Sequence, residues 1–291
     1  MPFSGELVHG AFLKWLTVAA PDVAAWLHEG QKRRLFTCSS LNFPRPNSRF
    51  LHAEREDIYL PLDPDNTYTL RLTLLLGDLF PLFYNALMSV HVGQGDATGA
   101  PFLRLGKQLF LLEDILLTNE GELGWTGFTS LTTLVEQAKA LPAGSPPSFT
   151  FEFASLTTFS RGASQKSYGN YPALFPHPAF IFSNLVRRWE DIAPPDLAPL
   201  IEKERLEQYV QDEGVVVSDY DLKVHQVHFT THLQRGFVGS CTYQPRGADE
   251  KSSSETTLTI RQQLALLAQL AFYSGVGYKT AMGLGQVRLG S

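Results

Sequence analysis

The chain has 291 residues, of which 44% are hydrophobic and 12% aromatic, a globular composition long enough for about two domains with sizeable cores. Its formal net charge of −5 excludes a protein coated in positive potential, and no apolar run approaches the roughly 20 residues of a membrane span. The start, MPFSGELVHGAFLKWL, has no basic leader followed by an uninterrupted apolar stretch, so a cytoplasmic protein is expected. The two cysteines, Cys38 and Cys241, lack metal-ligand spacing and are too few for a disulfide framework; they are expected as buried small hydrophobes.

Glu6 to Ala19 is apolar at helical spacing, and Pro21 starts a second short helix that Gly30 should end. Basic residues follow as a cluster, Lys32, Arg33 and Arg34, with a second pair at Arg187 and Arg188. Strands are expected at Leu35 to Leu41 and at Ile58 to Leu76, the latter with a turn at DPDN, Asp63 to Asn66. Asp78 to His91 should be a helix with Pro81 in its first turn, Phe102 to Leu117 a strand, and Ser130 to Leu141 a helix. The segment AGSPPS marks a boundary near residues 143 to 148.

The second half then predicts a strand (Phe149 to Phe159), a loop to Tyr171, helices at His177 to Ile192 and Asp196 to Gln211, and strands at Val215 to His225 and Val227 to Tyr243. A helix at Thr256 to Phe272 and a final strand at Leu284 to Leu289 complete the order βαββαβ. The histidines His225, His228 and His232 fall in a stretch that alternates like a strand, which argues against a metal site. The first half shows αββαβ, the same order without its opening strand. The fold class expected is therefore α+β, two tandem ferredoxin-like βαββαβ modules over residues 1–145 and 146–291, the first lacking its opening strand or having it displaced.

Between the last helix and last strand lies GVGYKTAMGLG, in which Gly275, Gly277, Gly283 and Gly285 surround Lys279 and Thr280. A dinucleotide-binding turn is excluded, because the glycines follow a helix and only six residues remain after Gly285. A P-loop is excluded too, since its lysine directly follows the second glycine and opens a helix.

This loop, in a tandem ferredoxin-like chain, resembles the CRISPR-associated endoribonucleases that process precursor guide RNA, the sixth Cas protein family. The N-terminal pattern LVHGAFLKWLTVAAPDVAAWLHEGQKRRLFTCSSL is similar to the family's first helix, Pro-started second helix, "LHE" and strand. FASLTTFSRGASQKSYGNYPALFPHPAFIFSNLVRRW is similar to its middle pattern, with Leu156 where the family has proline. GSCTYQP, a helix and GVGYKTAMGLGQVRL follow as the penultimate strand and glycine signature.

The resemblance implies cleavage without metal or other cofactor, a ribose 2′-hydroxyl attacking the adjacent phosphate to leave 2′,3′-cyclic phosphate and 5′-hydroxyl ends. It places His28 at the catalytic histidine and Arg34 at a residue that supplies transition-state charge, with Lys32 and Arg33 beside it. The position of a second catalytic side chain in some members is Leu13 here; His9, one helical turn earlier, is expected to take that role. In the loop, Gly275, Gly277, Gly283 and Gly285 should let main-chain N–H groups approach phosphates, with Lys279 adding charge and Thr280 a hydroxyl. Expected partners are CRISPR repeat RNA, other Cas proteins of an interference complex and a second copy of the chain, with no membrane. The alternative is a non-catalytic RNA-binding subunit of a CRISPR ribonucleoprotein complex.

Overall fold

The computed structural model describes residues 3–29, 35–44, 62–89, 102–118, 124–141, 148–160, 172–247 and 258–290. Helix α1 (Gly5–Ala19) buries Val8, Phe12, Trp15 and Leu16 along one stripe, the spacing that packs a helix on a core. A single residue, Ala20, separates it from α2 (Pro21–Glu29), whose leading proline suits a position where an N–H would have no helical partner. Strand β1 (Phe36–Cys38) pairs antiparallel with β2 (Leu72–Leu74). The DPDN turn forms as expected, with the Asn66 amide donating to the Asp63 carbonyl at 3.1 Å. Helix α3 (Leu79–Ser89) packs on α1 through Phe83, whose ring lies 5.3 Å from Phe12 and 6.0 Å from Trp15.

The single strand expected over 102–117 is a short hairpin, β3 (Phe102–Leu105) and β4 (Gln108–Leu111). Gly106, at φ +62°, permits the two-residue reversal. Helix α4 (Leu131–Lys139) is capped by Ser130, which accepts from the Thr133 amide.

In the second half β5 (Phe149–Thr157), β8 (Val215–His228), β9 (Leu233–Pro245) and β10 (Val287–Leu289) form one antiparallel sheet in the order β10-β5-β9-β8. Its first and third strands lie in the middle, the ferredoxin-like arrangement. A short pair, β6 (Phe159–Ser160) and β7 (Pro172–Ala173), flanks it. Helices α5 (Pro178–Ile192) and α7 (Ile260–Ser274) cover one face, burying Phe182, Leu185, Trp189, Leu264, Leu267 and Ala271 against Phe151, Phe153, Phe237 and Tyr243.

Other boundaries differ from expectation as well. The helix predicted over 196–211 is a 3₁₀ turn at Ala198–Leu200 followed by α6 (Lys203–Gln211), because Pro199 interrupts the donor ladder. The β8–β9 reversal sits at Phe229 to His232 rather than near residue 226, closed by the Phe229 amide on the His232 carbonyl at 2.9 Å. Helix α7 starts at Ile260, capped by a reciprocal box of Thr259 and Gln262; residues 256 and 257 of the expected helix lie outside those described.

The boundary expected at 143–148 and the division at 145/146 fall at residues of which 142–147 lie outside those described. One hydrophobic core runs through both halves, from Val8 and Phe36 to Leu264 and Val287. Among the described residues no helix is long and apolar enough to cross a membrane.

Cys38 and Cys241 are both buried and unpaired as disulfides, and burial pushes both thiols up, Cys241 to about 11. The native protein is therefore expected to show no fast-reacting thiol in a disulfide-reagent assay near pH 8, and two after denaturation.

Candidate nucleic-acid interface

The glycine loop is a folded wedge between the two halves. Gly275, Gly277, Gly283 and Gly285 take φ of +63°, +93°, +90° and +67°, values that favour glycine. Space demands it as well: a Cβ at Gly285 would lie 2.2 Å from the Val276 carbonyl oxygen, and one at Gly277 would lie 2.4 Å from that of Thr158.

Their amides point into the protein. Gly275 donates to the Ala271 carbonyl, Gly277 to Asn184 Oδ1, Gly283 to the Cys38 carbonyl and Gly285 to the Leu156 carbonyl, at 2.9 to 3.1 Å. This corrects the expectation that these four N–H groups face a phosphate: each already has an acceptor. Thr280 is also turned inward, its hydroxyl accepting from buried Arg188 Nη2 at 2.7 Å.

The loop's outward members are Tyr278 and Lys279. Lys279, itself at φ +58°, donates from Nζ to His232 Nε2 at 2.8 Å and lies 3.9 Å over the Phe229 ring. Phe229 stacks on His232 at 5.2 Å, and the next residue, Thr230, donates from its amide and hydroxyl to Glu6 Oε2. Partial burial lowers the Lys279 ammonium from its usual value, with Glu6 acting the other way. The β8–β9 turn, the glycine loop and the start of α1 thus form one tied surface.

The expected site residues separate. His28 stands exposed in the last turn of α2. Lys32, Arg33 and Arg34 lie outside the described residues. The chain re-enters at β1, which carries the loop: Ser39 bridges Gly283, and the Cys38 carbonyl takes the Gly283 amide. His9 is buried, stacks on Phe36 at 5.5 Å and donates from Nδ1 to the Ala281 carbonyl at 2.9 Å. That placement gives His9 a holding role and removes the reason for expecting it at a reacting phosphate.

His9→Ala is accordingly expected to cost about 1 to 3 kcal/mol of stability by leaving the Ala281 carbonyl buried without its donor. Cleavage by the folded variant at saturating RNA should stay within about tenfold of the parent. Unchanged thermal stability with a hundredfold or greater loss of cleavage would return His9 to the catalytic role.

His225, His228 and His232 do not converge, and among the described residues no group of three or more His, Cys, Asp or Glu side chains could hold a metal ion. The outer face of the C-terminal sheet is also a poor platform for bases. Its register sets out Thr150, Glu152, Ser240, Thr242, Asp221 and Arg288, with Glu152 paired to Arg288 at 2.7 Å and no aromatic ring from the strands.

Arg71 had no signal in the sequence, yet it joins the halves behind the loop. Its Nε donates to the Trp125 carbonyl, Nη1 to Gln286 Oε1 and Nη2 to the Phe272 carbonyl, each at 2.8 Å. The guanidinium lies 4.3 Å from the Phe272 ring centroid and 5.6 Å from that of Trp125, and burial lowers it to about 10, against a smaller opposite effect of Tyr273. Gln286 passes the link on, donating to the Cys38 carbonyl at 3.2 Å.

The family model of CRISPR-associated endoribonuclease Cas6 matches residues 151–287, the C-terminal module through the glycine loop. Cas6 of Thermus thermophilus in a product complex superposes with a TM-score of 0.72 at 26% identity, covering 99% of this chain and 95% of that one. The C-terminal half of the chain is thus similar to the Cas6 family, and the whole chain shares the fold of a Cas6 protein. The CRISPR-associated endoribonuclease Cas6 of Streptococcus thermophilus is 29% identical over 126 residues, 43% of this chain and 45% of that relative, so the matched stretch spans less than half of the relative's length. A second Cas6 product complex has the same fold, with a TM-score of 0.66 at 22% identity over 100% of this chain and 94% of the other. Like its Cas6 neighbours, the chain has the tandem ferredoxin-like fold. Its glycine loop lies within the matched family region, whereas His28 and His9 lie before it.

Proposed function

We propose that this chain is an endoribonuclease of the Cas6 family that cuts CRISPR precursor RNA within its repeats to make guide RNAs. The observation that carries this is the superposition of nearly the whole chain on a Cas6 product complex, with the family match over the module that holds the glycine loop. The reaction is attack of a ribose 2′-hydroxyl on the neighbouring phosphorus without metal. The P–O5′ bond breaks, leaving a 2′,3′-cyclic phosphate and a 5′-hydroxyl.

Such a reaction needs a base to take the 2′-hydroxyl proton and an acid to give one to the departing 5′-oxygen. An exposed imidazole can change protonation state near neutral pH, and His28 is assigned to this proton transfer. Arg34 is assigned to the charge that builds on the phosphorane, and Lys32, Arg33 and Lys279 to flanking phosphates. Gly275, Gly277, Gly283, Gly285 and Thr280 serve by shaping the loop that presents Lys279, since their own donors and acceptors are engaged inside. The repeat RNA is the primary partner; other Cas proteins and a second copy of the chain are further proposed partners, in the cytoplasm.

The test is cleavage of the host repeat RNA in excess EDTA, comparing the ribose substrate with one carrying a 2′-deoxy sugar at the cut site. Cutting of the ribose substrate alone, with a cyclic-phosphate end, is the expected result. Tight binding with no cutting would leave the non-catalytic RNA-binding subunit; dependence on added divalent cation would replace the mechanism.

A further inference from the structure

Beside the glycine loop, the β5–β6 junction, β7 and the outer end of β9 enclose a groove of about 400 Å³, within the usual range for a small-ligand site. Its base is rigid: Phe159 is buried and stacks on Phe180 at 5.7 Å and on Phe237 at 6.4 Å. Ser160, His232, Gln234, Arg235 and Tyr278 also line it, and among the described residues no carboxylate does.

In a chain of net charge −5, that absence of acidic groups beside an arginine and a histidine marks a local preference for anions. Among the described residues, no hydrogen bond or ion pair engages the Arg235 guanidinium or the hydroxyls of Ser160 and Tyr278. Tyr278 leaves 45% of its surface exposed, while its amide is held by the Thr158 carbonyl at 2.9 Å, which fixes the backbone behind the ring at the mouth of the groove. Lys279 follows it, anchored on His232.

An exposed aromatic ring, uncommitted hydroxyl and guanidinium donors, and an amide side chain around one recess are the groups that hold a nucleotide. The ring stacks on the base, the cations take the phosphate, and the amide and hydroxyl meet the base edge. The outer sheet face, to which the strands themselves contribute no aromatic ring, offers no such stacking surface. We propose that this groove binds one unpaired nucleotide of the RNA, with the base on Tyr278, the phosphate between Arg235 and Lys279, and the base edge toward Ser160 and Gln234. The assignment rests on the RNA-binding part of the proposed function and uses groups distinct from His28.

The experiment titrates fluorescein-labelled single-stranded hexauridylate and hexaadenylate against the full-length protein, Tyr278→Leu, Arg235→Gln and Lys203→Gln, across a salt series. Tyr278→Leu is expected to weaken hexamer binding about 5- to 100-fold, as loss of one base stack does. Arg235→Gln should flatten the slope of log affinity against log salt by about 0.7, one phosphate contact on a single strand. Lys203→Gln, a surface change outside the groove, should bind the hexamers like the parent. Both groove variants are surface changes, and unchanged melting temperatures establish that each is folded. No measurable hexamer binding by the parent, or equal binding by parent and both groove variants, overturns the proposal. If the groove variants lose hexamer binding while the parent leaves repeat RNA uncut, the groove stands and the endoribonuclease assignment falls; cleavage with unaltered hexamer binding gives the reverse.

Discussion

His28→Ala is expected to reduce single-turnover cleavage of saturating repeat RNA by about 100- to 10,000-fold in EDTA, the range for removal of one general acid–base group. The dissociation constant for the uncut RNA should change by no more than a few-fold, because the cations proposed to contact phosphate, Lys279 among them, are untouched. The effect should fall in the upper part of that range. The position at which the resemblance would put a second catalytic side chain, found in some members, holds Leu13, and His9 is buried with Nδ1 committed to the Ala281 carbonyl, so among these positions His28 alone presents an exposed imidazole. Rescue is not expected from the β8–β9 histidines, since His225 is buried and His232 is engaged by Lys279. Cleavage by His28→Ala within tenfold of the parent would remove His28 from the mechanism; equal loss of binding and cleavage would make it a contact residue.

Arg71→Met is expected to be the most damaging substitution outside the proposed catalytic groups, lowering stability by about 3 to 5 kcal/mol. Three acceptors lose a charged donor at once, the carbonyls of Trp125 and Phe272 and the Gln286 side chain, and the ring contacts with Phe272 and Trp125 lose their cation. In a chain of this size that corresponds to a fall in melting temperature of roughly 5 to 8 °C. Arg71→Lys should recover only part of it, because an ammonium cannot reproduce the planar fork that reaches three acceptors on different segments. Chemical denaturation is the direct measurement, and a change below about 1 kcal/mol would show that these contacts do not hold the halves together. Gln286 relays Arg71 to Cys38, whose carbonyl also receives the Gly283 amide. Folded Arg71→Met is therefore expected to bind repeat RNA more weakly without any change at the proposed RNA contacts.

The legible elements were those whose pattern is local. α1, α2 and α5 follow helical spacing and a leading proline, and β5 follows alternation, so each starts and ends within a residue or two of expectation. Where two local signals competed, the boundary moved. The alternation of β8 continues through Val227 past the expected break, and the hairpin around Gly106 was hidden because apolar residues continue on both sides of the reversal. The candidate site was legible in part. The glycine spacing marked the loop and the resemblance marked His28, but the loop's mode of action was not readable. Arg71 sits in an ordinary strand context that distinguishes it from no other arginine.

The sequence by itself determined the order of helices and strands in the C-terminal module and the glycine pattern at Gly275, Gly277, Gly283 and Gly285 that resembles a family signature. Only the tertiary structure decided that these glycine amides are sealed inside, that His9 holds Ala281, and that Tyr278, Arg235 and Lys279 meet around one groove. The reason is physical: glycine spacing is set by backbone sterics within a few residues, whereas the acceptors that claim the loop include Asn184, Leu156 and Cys38, residues brought to it only when sheet, helices and both halves pack.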